Sequence, residues 1–276
     1  MKIFDTHAHY SDEKYDIDRD DLFKKMYADG VKKITLIGSN FIESKKEKNV
    51  ANLYNQYKDM PHFYFAVGDH PDDIPKCSPD SADGLKYLDS IKKLALDGDK
   101  AIAIGEIGLD YHGDFKDESD FENQKRWFVA EIELARSLKL PIVVHSRDAC
   151  KDTLDYIKTY ANDMRGILHC FSYEKEIALE YVKLGYHIGI GGTVTFKNAR
   201  KTKEVVESIG IENIVTETDS PYLAPTPHRG ERNESSYIRY VIEEIANIKN
   251  MDVEKVSEIL YQNALEVYGL GMGEVK

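Results

Sequence analysis

Short apolar runs alternate with amphipathic stretches along this chain. Eight runs have the composition of buried strands, at residues 3–5, 33–37, 63–67, 101–105, 141–144, 166–168, 187–190 and 213–216. Helical patterns lie between several of them, at 18–29, 41–57, 81–96, 118–138 and 198–209. Apolar residues spaced three or four apart from Val253 to Tyr268 predict a closing helix. The pattern therefore predicts alternating strands and helices.

Such an alternation is typical of a (β/α)8 TIM barrel, in which each strand is buried on both faces and reads as continuously apolar. A doubly wound open sheet is the competing architecture. It is less consistent with the chain, because no GxGxxG follows the first run and polar residues follow most runs rather than one switch point. No Pro-rich or Ser-rich linker interrupts the pattern, so we predict a single barrel domain over residues 1–276.

Composition narrows the possible partners and the compartment. The net charge of −12 argues against nonspecific wrapping of nucleic acid, although a local pocket with its own cations can still bind an anion. No apolar run has the length of a signal peptide or membrane span, which predicts a cytoplasmic protein with no membrane partner. Cys77, Cys150 and Cys170 form no CxxC pair, so we interpret them as reduced packing residues.

Histidines and carboxylates stand where the apolar runs end. His7 and His9 flank one residue, so on a strand they point the same way, about 6.5 Å apart along the backbone. Alone, the pair fits a surface histidine pair equally well. The remaining groups of this kind are Glu106, His145, His169 and Asp219. In a barrel the carboxyl ends of all strands meet at one mouth, so we expect these side chains to lie together.

Six imidazole and carboxylate groups in one mouth are costly to desolvate unless cations neutralise and order them. Nitrogen and oxygen donors without thiolate favour zinc, manganese, iron or cobalt and tolerate magnesium. We predict two divalent metal ions, the first held by His7, His9, Glu106 and Asp219, and the second by Glu106, His145 and His169. Glu106 bridges the two ions in this hypothesis. Such a pair can activate water for attack at phosphorus, with Asp219 as general base.

Several segments then resemble, in order, the signatures of the TatD family of metal-dependent deoxyribonucleases. They are FDTHAH at 4–9, GEIGLDY at 105–111, VHSRDA at 144–149, LHCFS at 168–172, GGTVTFKNA at 191–199, ETDSPYL at 217–223 and PHRGERNE at 227–234. The resemblance implies a TIM barrel, a two-metal centre and hydrolysis of DNA phosphodiesters, often from the 3′ end. The chain departs from the family pattern at Asp69, where an apolar residue is more usual, and at Tyr173, where glycine is common.

Other residues near the predicted mouth are candidate substrate contacts. Arg229 offers a fork of donors that matches phosphate oxygens. His70 and His112 follow the third and fourth runs and could bind a phosphate oxygen or protonate the leaving oxygen, although an exposed loop histidine explains His112 equally well. Tyr222 could stack on a base or donate to a phosphate.

Three functions are compatible with these residues. The leading hypothesis is a two-metal 3′–5′ exonuclease that acts on DNA, with single-stranded ends as the expected partner and Asp219 and Glu106 as catalytic residues. A binuclear amidohydrolase or deaminase acting on a C–N bond is the first alternative, and Glu106 in place of a carboxylated lysine argues against it. The second alternative is a noncatalytic metal-dependent nucleic-acid binder. Asp219 argues against it, because binding alone does not require a general base.

Overall fold

The strands of this protein lie side by side in the order in which they occur along the chain. The computed structural model describes residues 1–98, 100–113 and 117–271. Within these residues eight strands form one parallel sheet, ordered β1 to β8, and a bridge between Ala8 and Ser220 joins the first strand to the segment after the last. Because the order never reverses, the predicted (β/α)8 barrel is confirmed and the doubly wound alternative is excluded.

Helices alternate with the strands around this sheet. The strands are β1 Ile3–Ala8, β2 Val31–Ile37, β3 His62–Val67, β4 Ala103–Asp110, β5 Ile142–Arg147, β6 Gly166–Leu168, β7 His187–Ile190 and β8 Ile214–Thr216. The helices are α1 Arg19–Ala28, α2 Phe41–Tyr54, α3 Ala82–Leu96, α4 Glu118–Leu138, α5 Cys150–Tyr160, α6 Lys175–Lys183, α7 Arg200–Ser208, α8 Ile238–Lys249 and α9 Val253–Val267. Among the described helices, none combines the length and apolar character needed to span a membrane.

Side-chain caps fix where several helices begin. Asn40 accepts hydrogen bonds from the N–H groups of Ile42 and Glu43 in α2, and Asp252 accepts one from the N–H of Lys255 in α9. Asp117 and Asp120 form a reciprocal capping box at the start of α4. Each cap satisfies N–H groups that have no partner inside the helix, so these polar residues set the helix boundaries from the local sequence.

Three strands extend further than the apolar pattern predicts. The runs at 3–5, 101–105 and 141–144 stop before the polar residues, whereas β1, β4 and β5 continue through His7, Glu106 and His145. Gly108 pairs with His145 in the ladder between β4 and β5. Gly108 has a φ of +147°, and a Cβ there would lie 2.0 Å from the His145 carbonyl oxygen. Glycine therefore lets β4 approach β5 closely at this point. The strand pairing is irregular between Asp5 and Ala8 and between Ile104 and Ile107, so His7 and Glu106 both lie at irregular positions.

The amino-terminal end of the barrel is closed by the last helix. The ring centroid of Phe4, near the start of β1, lies 6.1 Å from that of Tyr261 and 5.9 Å from that of Tyr268. The Tyr268 hydroxyl also donates to the Thr6 carbonyl at 2.8 Å. These contacts place α9 beside the start of β1. The end of β1 that carries His7 lies at the opposite mouth of the barrel.

Candidate metal centre

His7 and His9 direct their rings at one another from the end of β1. Their Nε2 atoms are 3.2 Å apart, and the His7 side chain is fully buried. His9 Nδ1 lies 2.6 Å from the carbonyl oxygen of Ile37, the last residue of β2. A carbonyl oxygen only accepts, so Nδ1 carries the proton and a neutral His9 ring presents its Nε2 lone pair toward His7. The structure thus places the two imidazoles side by side, the arrangement that the predicted chelating pair requires.

Glu106 on β4 reaches histidines on both sides of it. Its Oε2 is 3.4 Å from His7 Nε2, whereas its Oε1 is 2.8 Å from His145 Nδ1 and 3.7 Å from His169 Nε2. The two oxygens of one carboxylate therefore face different sets of imidazole nitrogens. This is the geometry that a bridging carboxylate requires.

Asp219 completes the cluster from the segment after β8. Its Oδ1 lies 3.3 Å from His9 Nε2 and 3.9 Å from both His7 Nε2 and His169 Nε2. The backbone N–H of Asp219 donates to the His7 carbonyl at 3.0 Å, and its φ of +59° is one that Asp tolerates better than most residues. The structure thus brings together all six of the side chains predicted to hold metal.

The carboxylates of the cluster draw positive charge onto His145 and His169, whereas burial lowers the pKa of His7. Burial alone would lower the pKa of His145 and His169, but Asp110 and Glu106 raise that of His145 to about 9, and Glu217 and Glu106 raise that of His169 to about 10. Burial would raise the pKa of Glu106, yet the surrounding histidines hold it well below its usual range. Divalent cations supply the same positive charge and compete with these protons for the ring nitrogens.

The donor set therefore fits divalent cations. Donor atoms of His7, Glu106 and His169 lie within 4.8 Å of one another, and so do those of His7, His9 and Asp219. Nitrogen and carboxylate oxygen donors at this spacing suit zinc and its neighbours among the transition metals. Cys170 lies within the same distance of His169 and Asp219, but burial and then the nearby carboxylates raise the pKa of its thiol well above its usual value.

Two carboxylates behind the histidines were not predicted as site residues. Asp110 Oδ2 is 3.0 Å from His145 Nε2, and Glu217 Oε1 is 3.2 Å from His169 Nδ1. Both orient a ring from the side facing away from Glu106. Gly189 makes room for Glu217, because a Cβ there would lie 2.5 Å from Glu217 Oε2. The available signal was spacing: Asp110 is four residues from Glu106 on one strand, and Glu217 precedes Asp219 by two.

Asp5 is a third residue that the sequence reasoning missed. It is fully buried and accepts hydrogen bonds from the Thr218 N–H at 3.0 Å, the Thr218 hydroxyl at 2.6 Å and the Ser235 hydroxyl at 2.6 Å. It also accepts from the His7 N–H at 3.2 Å. Asp5 thus ties the backbone of His7 to the segment that carries Asp219.

Five of the six candidate ligands, all except His7, line a cavity of about 500 Å³ together with His70 and Tyr222. His70 Nδ1 accepts from the Asp72 N–H at 3.1 Å, and burial lowers the pKa of its ring. A neutral His70 with this partner carries its proton on Nε2 and is a hydrogen-bond donor. Tyr222 is half-exposed, with the Lys14 ammonium 4.6 Å from its ring centroid.

The other two predicted substrate contacts lie outside the cavity wall formed by the described residues. Arg229 is exposed and its guanidinium lies 4.1 Å from the ring centroid of Phe196, in the segment after β7. His112 is exposed, with Nδ1 2.8 Å from Asp148 Oδ2. Both residues follow strands at the same mouth as the metal cluster.

Comparisons with known proteins agree with this geometry. A family model described as TatD related DNase matches residues 4–269. The chain is 37% identical over 267 residues to the uncharacterized metal-dependent hydrolase YabD of Bacillus subtilis, covering 96% of this chain and 98% of that protein. It is 31% identical over 272 residues to the 3′-5′ ssDNA/RNA exonuclease TatD of Salmonella typhimurium, and the match covers 96% of this chain and 98% of that protein. The crystal structure of YJJV, a TatD homolog from Escherichia coli, superposes with a TM-score of 0.82 at 25% identity, covering 98% of each chain.

Proposed function

Because the chain belongs to the TatD family of metal-dependent hydrolases, we propose that it cleaves phosphodiester bonds of DNA, removing nucleotides from the 3′ ends of single strands. The observation that carries the proposal is the position of Glu106, whose two oxygens face His7 and His145 at 3.4 and 2.8 Å. A carboxylate shared in this way suits two cations about 3.5–4 Å apart, which is an arrangement used for displacement at phosphorus. The name of the Salmonella relative, a 3′-5′ ssDNA/RNA exonuclease, supports the substrate class and the polarity.

The proposed ligands fall into two sets that share one carboxylate. The first set is His7, His9, Glu106 and Asp219, and the second is Glu106, His145 and His169. Zinc, manganese, iron, cobalt and magnesium are all compatible with these donors. Divalent cations held there would neutralise charge on the phosphate group and make a nearby water more acidic.

Asp219 is the proposed general base. Burial would raise the pKa of its carboxyl, but the hydrogen bond with His9 and the neighbouring imidazoles lower it overall, so Asp219 is ionised at neutral pH. Its carboxylate accepts a proton from the attacking water as the water oxygen bonds to phosphorus. The bond between phosphorus and the O3′ of the preceding nucleotide then breaks, and O3′ takes a proton from His70 Nε2 or from solvent.

The remaining predicted contacts are assigned to the nucleic acid. His70 donates from Nε2 to a phosphate oxygen, Arg229 binds a phosphate of the incoming strand, and Tyr222 stacks on a base with its exposed ring face. His112 is proposed as a contact at the rim of the mouth, beside Asp148.

A direct test uses a 5′-labelled single-stranded oligonucleotide and purified protein with manganese or magnesium. We expect stepwise shortening from the 3′ end, and no shortening by Asp219→Asn protein purified in the same way. Metal loading of the wild type with intact DNA, together with hydrolysis of a dihydropyrimidine or an amide, would contradict the nuclease and support the amidohydrolase alternative. Binding of DNA without turnover of any substrate would support a noncatalytic binder.

We also propose that the enzyme acts in the cytoplasm. Cys77, Cys150 and Cys170 are free, which suits a reducing compartment. Fractionation of cells that produce the protein at its natural level tests this location.

A further inference from the structure

One half of the cavity wall is acidic. Besides the metal-binding residues, carboxylates from the segments after β1 and β3 and from α2 line it, namely Asp12, Glu43, Glu47, Asp72 and Asp73. Glu43 has a cationic partner, with Lys46 Nζ 2.8 Å from its Oε1. Asp12, Glu47 and Asp73 form no ion pair with a lysine or arginine in the described ranges. The five carboxylates outnumber the cations Lys14 and Lys46 beside them, so this half of the wall carries net negative charge and repels a phosphate group.

The opposite half of the mouth carries cations. Arg147 ends β5, Lys197 follows β7, and Arg229 lies in the segment after Asp219. All three side chains are exposed, and within the described part of the chain none of them is ion-paired with a carboxylate. A carboxylate in this half has a different partner: Asp148 Oδ2 lies 2.8 Å from His112 Nδ1. The phosphates of a nucleic acid are therefore attracted to this half.

A buried acceptor in the acidic half lacks a donor. Glu47 is 1% exposed, and its Oε1 accepts from the N–H and the hydroxyl of Ser11 at 3.0 and 2.9 Å. Its Oε2 has no hydrogen-bond partner among the described residues, although Glu47 belongs to the cavity wall. A sugar hydroxyl can donate to such an oxygen, whereas an ionised phosphate cannot.

We propose that the acidic half binds a terminal nucleoside with a free hydroxyl, while the preceding phosphates lie across Arg147, Lys197 and Arg229. This inference rests on the proposed nuclease function and names its substrate as a hydroxyl-terminated single-stranded end. The scissile phosphate lies at the metal centre between the two halves. Water adds to phosphorus, the bond to O3′ of the preceding nucleotide breaks, O3′ gains a proton, and the terminal residue leaves as a 5′-monophosphate. A 3′-terminal phosphate would meet the carboxylates instead and be rejected.

The experiment compares two 5′-labelled oligonucleotides of one sequence that end in a 3′-hydroxyl or a 3′-phosphate. For the wild type with manganese at low salt we expect kcat/KM to be about tenfold or more higher for the hydroxyl end. The triple variant Glu43→Gln/Asp72→Asn/Asp73→Asn should lose most of this preference by accepting the phosphate end. The matched control Glu133→Gln/Glu207→Gln/Glu258→Gln removes the same charge from surface positions on α4, α7 and α9 and should keep the preference.

A second measurement uses only the wild type. Raising the salt from about 50 mM to about 500 mM should reduce the preference, because exposed charges are screened. Equal cleavage of both ends by the wild type would overturn the proposed nucleoside site, and so would an unchanged preference in the Glu43/Asp72/Asp73 variant. Either result would leave the proposed nuclease function standing. Failure to shorten either oligonucleotide contradicts the nuclease itself, and the assignment with it.

Discussion

In three histidines of the centre, one ring nitrogen faces the other candidate ligands. The second ring nitrogen contacts an oxygen atom outside that set. His9 hydrogen-bonds to the Ile37 carbonyl and His145 to Asp110, whereas His169 Nδ1 faces Glu217 Oε1 at 3.2 Å as an ion-pair contact without hydrogen-bond geometry. A neutral imidazole that donates from one nitrogen presents a lone pair at the other, so a cation displaces the proton that the carboxylates draw onto His145 and His169. These contacts turn the rings toward the cluster before any metal binds, which reduces the rearrangement that binding to the proposed ligands requires.

Removing either orienting carboxylate should loosen the metal while keeping the fold. We expect Glu217→Gln and Asp110→Asn each to weaken metal binding by about ten- to a hundredfold, since an amide orients an imidazole less strongly than a carboxylate does. Competition with a chelating dye measures this affinity in the absence of substrate. Asp148→Asn, at the same mouth and paired with His112, is the matched control. Unaltered affinity in both variants would exclude the orienting role.

His70 provides a prediction about the reaction rather than the metal. Its Nε2–H faces substrate in our proposal, so His70→Ala should lower kcat/KM by about a hundredfold without changing metal content. His70→Gln retains an N–H donor and should recover part of the loss. His62→Ala, at the other end of β3, is the control histidine. Loss of metal from the His70→Ala protein would instead indicate a ligand.

Among the elements, β3 and α4 are joined by two buried carboxyl groups. The N–H of Asp69, just after β3, donates to Glu131 Oε1 at 2.9 Å, and the Tyr87 hydroxyl donates to Asp69 Oδ1 at 2.6 Å. Burial raises the pKa of Asp69 to about 7 and that of Glu131 well above its usual value. Asp69, where the chain departs from the family pattern, thus contacts Glu131 and Tyr87 and none of the predicted ligands.

This pair should make stability fall as pH rises. A carboxyl whose pKa is higher in the folded state stabilises the protein fully below its unfolded pKa, and that stabilisation is lost as the pH passes the folded value. We expect Glu131→Gln to increase the free energy of unfolding by roughly 1–3 kcal/mol at about pH 8 and by less at about pH 5. Urea unfolding at both pH values measures the difference. An equal effect at the two pH values would show that ionisation of Glu131 is not involved.

At the scale of the whole molecule, the proposed ligands come from five separate strands or the segments that follow them. Cations bound to the folded state alone stabilise it by mass action, by about 2.7 kcal/mol at a hundredfold excess over Kd. Chelation should therefore lower Tm by about 5 °C or more for a chain of this size, and added manganese should restore it. His7→Ala/His9→Ala protein should show a smaller response in the same melting experiment. A response equal to that of the wild type would contradict the ligand assignment.

Sequence patterning was sufficient for the barrel because its strands are buried on both faces and therefore read as apolar runs. The six predicted ligands could be grouped because parallel strands of a barrel end at one mouth. Asp110, Glu217 and Asp5 were not identified, since their roles depend on which side chain each faces across a neighbouring strand. The acidic wall was missed for a related reason: Glu43 and Glu47 belong to a helix, and only folding turns that face of α2 toward the cavity.

The bridge between Ala8 and Ser220 has a consequence for synthesis of the protein on the ribosome. His7 and His9 emerge among the first residues, yet the segment that pairs with β1 is made more than 200 residues later. In that segment Thr218 hydrogen-bonds to Asp5, and Asp219 lies beside His9. A nascent chain that has reached β7 contains every proposed ligand except Asp219, the proposed base. The growing polypeptide therefore lacks the proposed base while most of it is still being translated, and the candidate site is complete only after the barrel has closed.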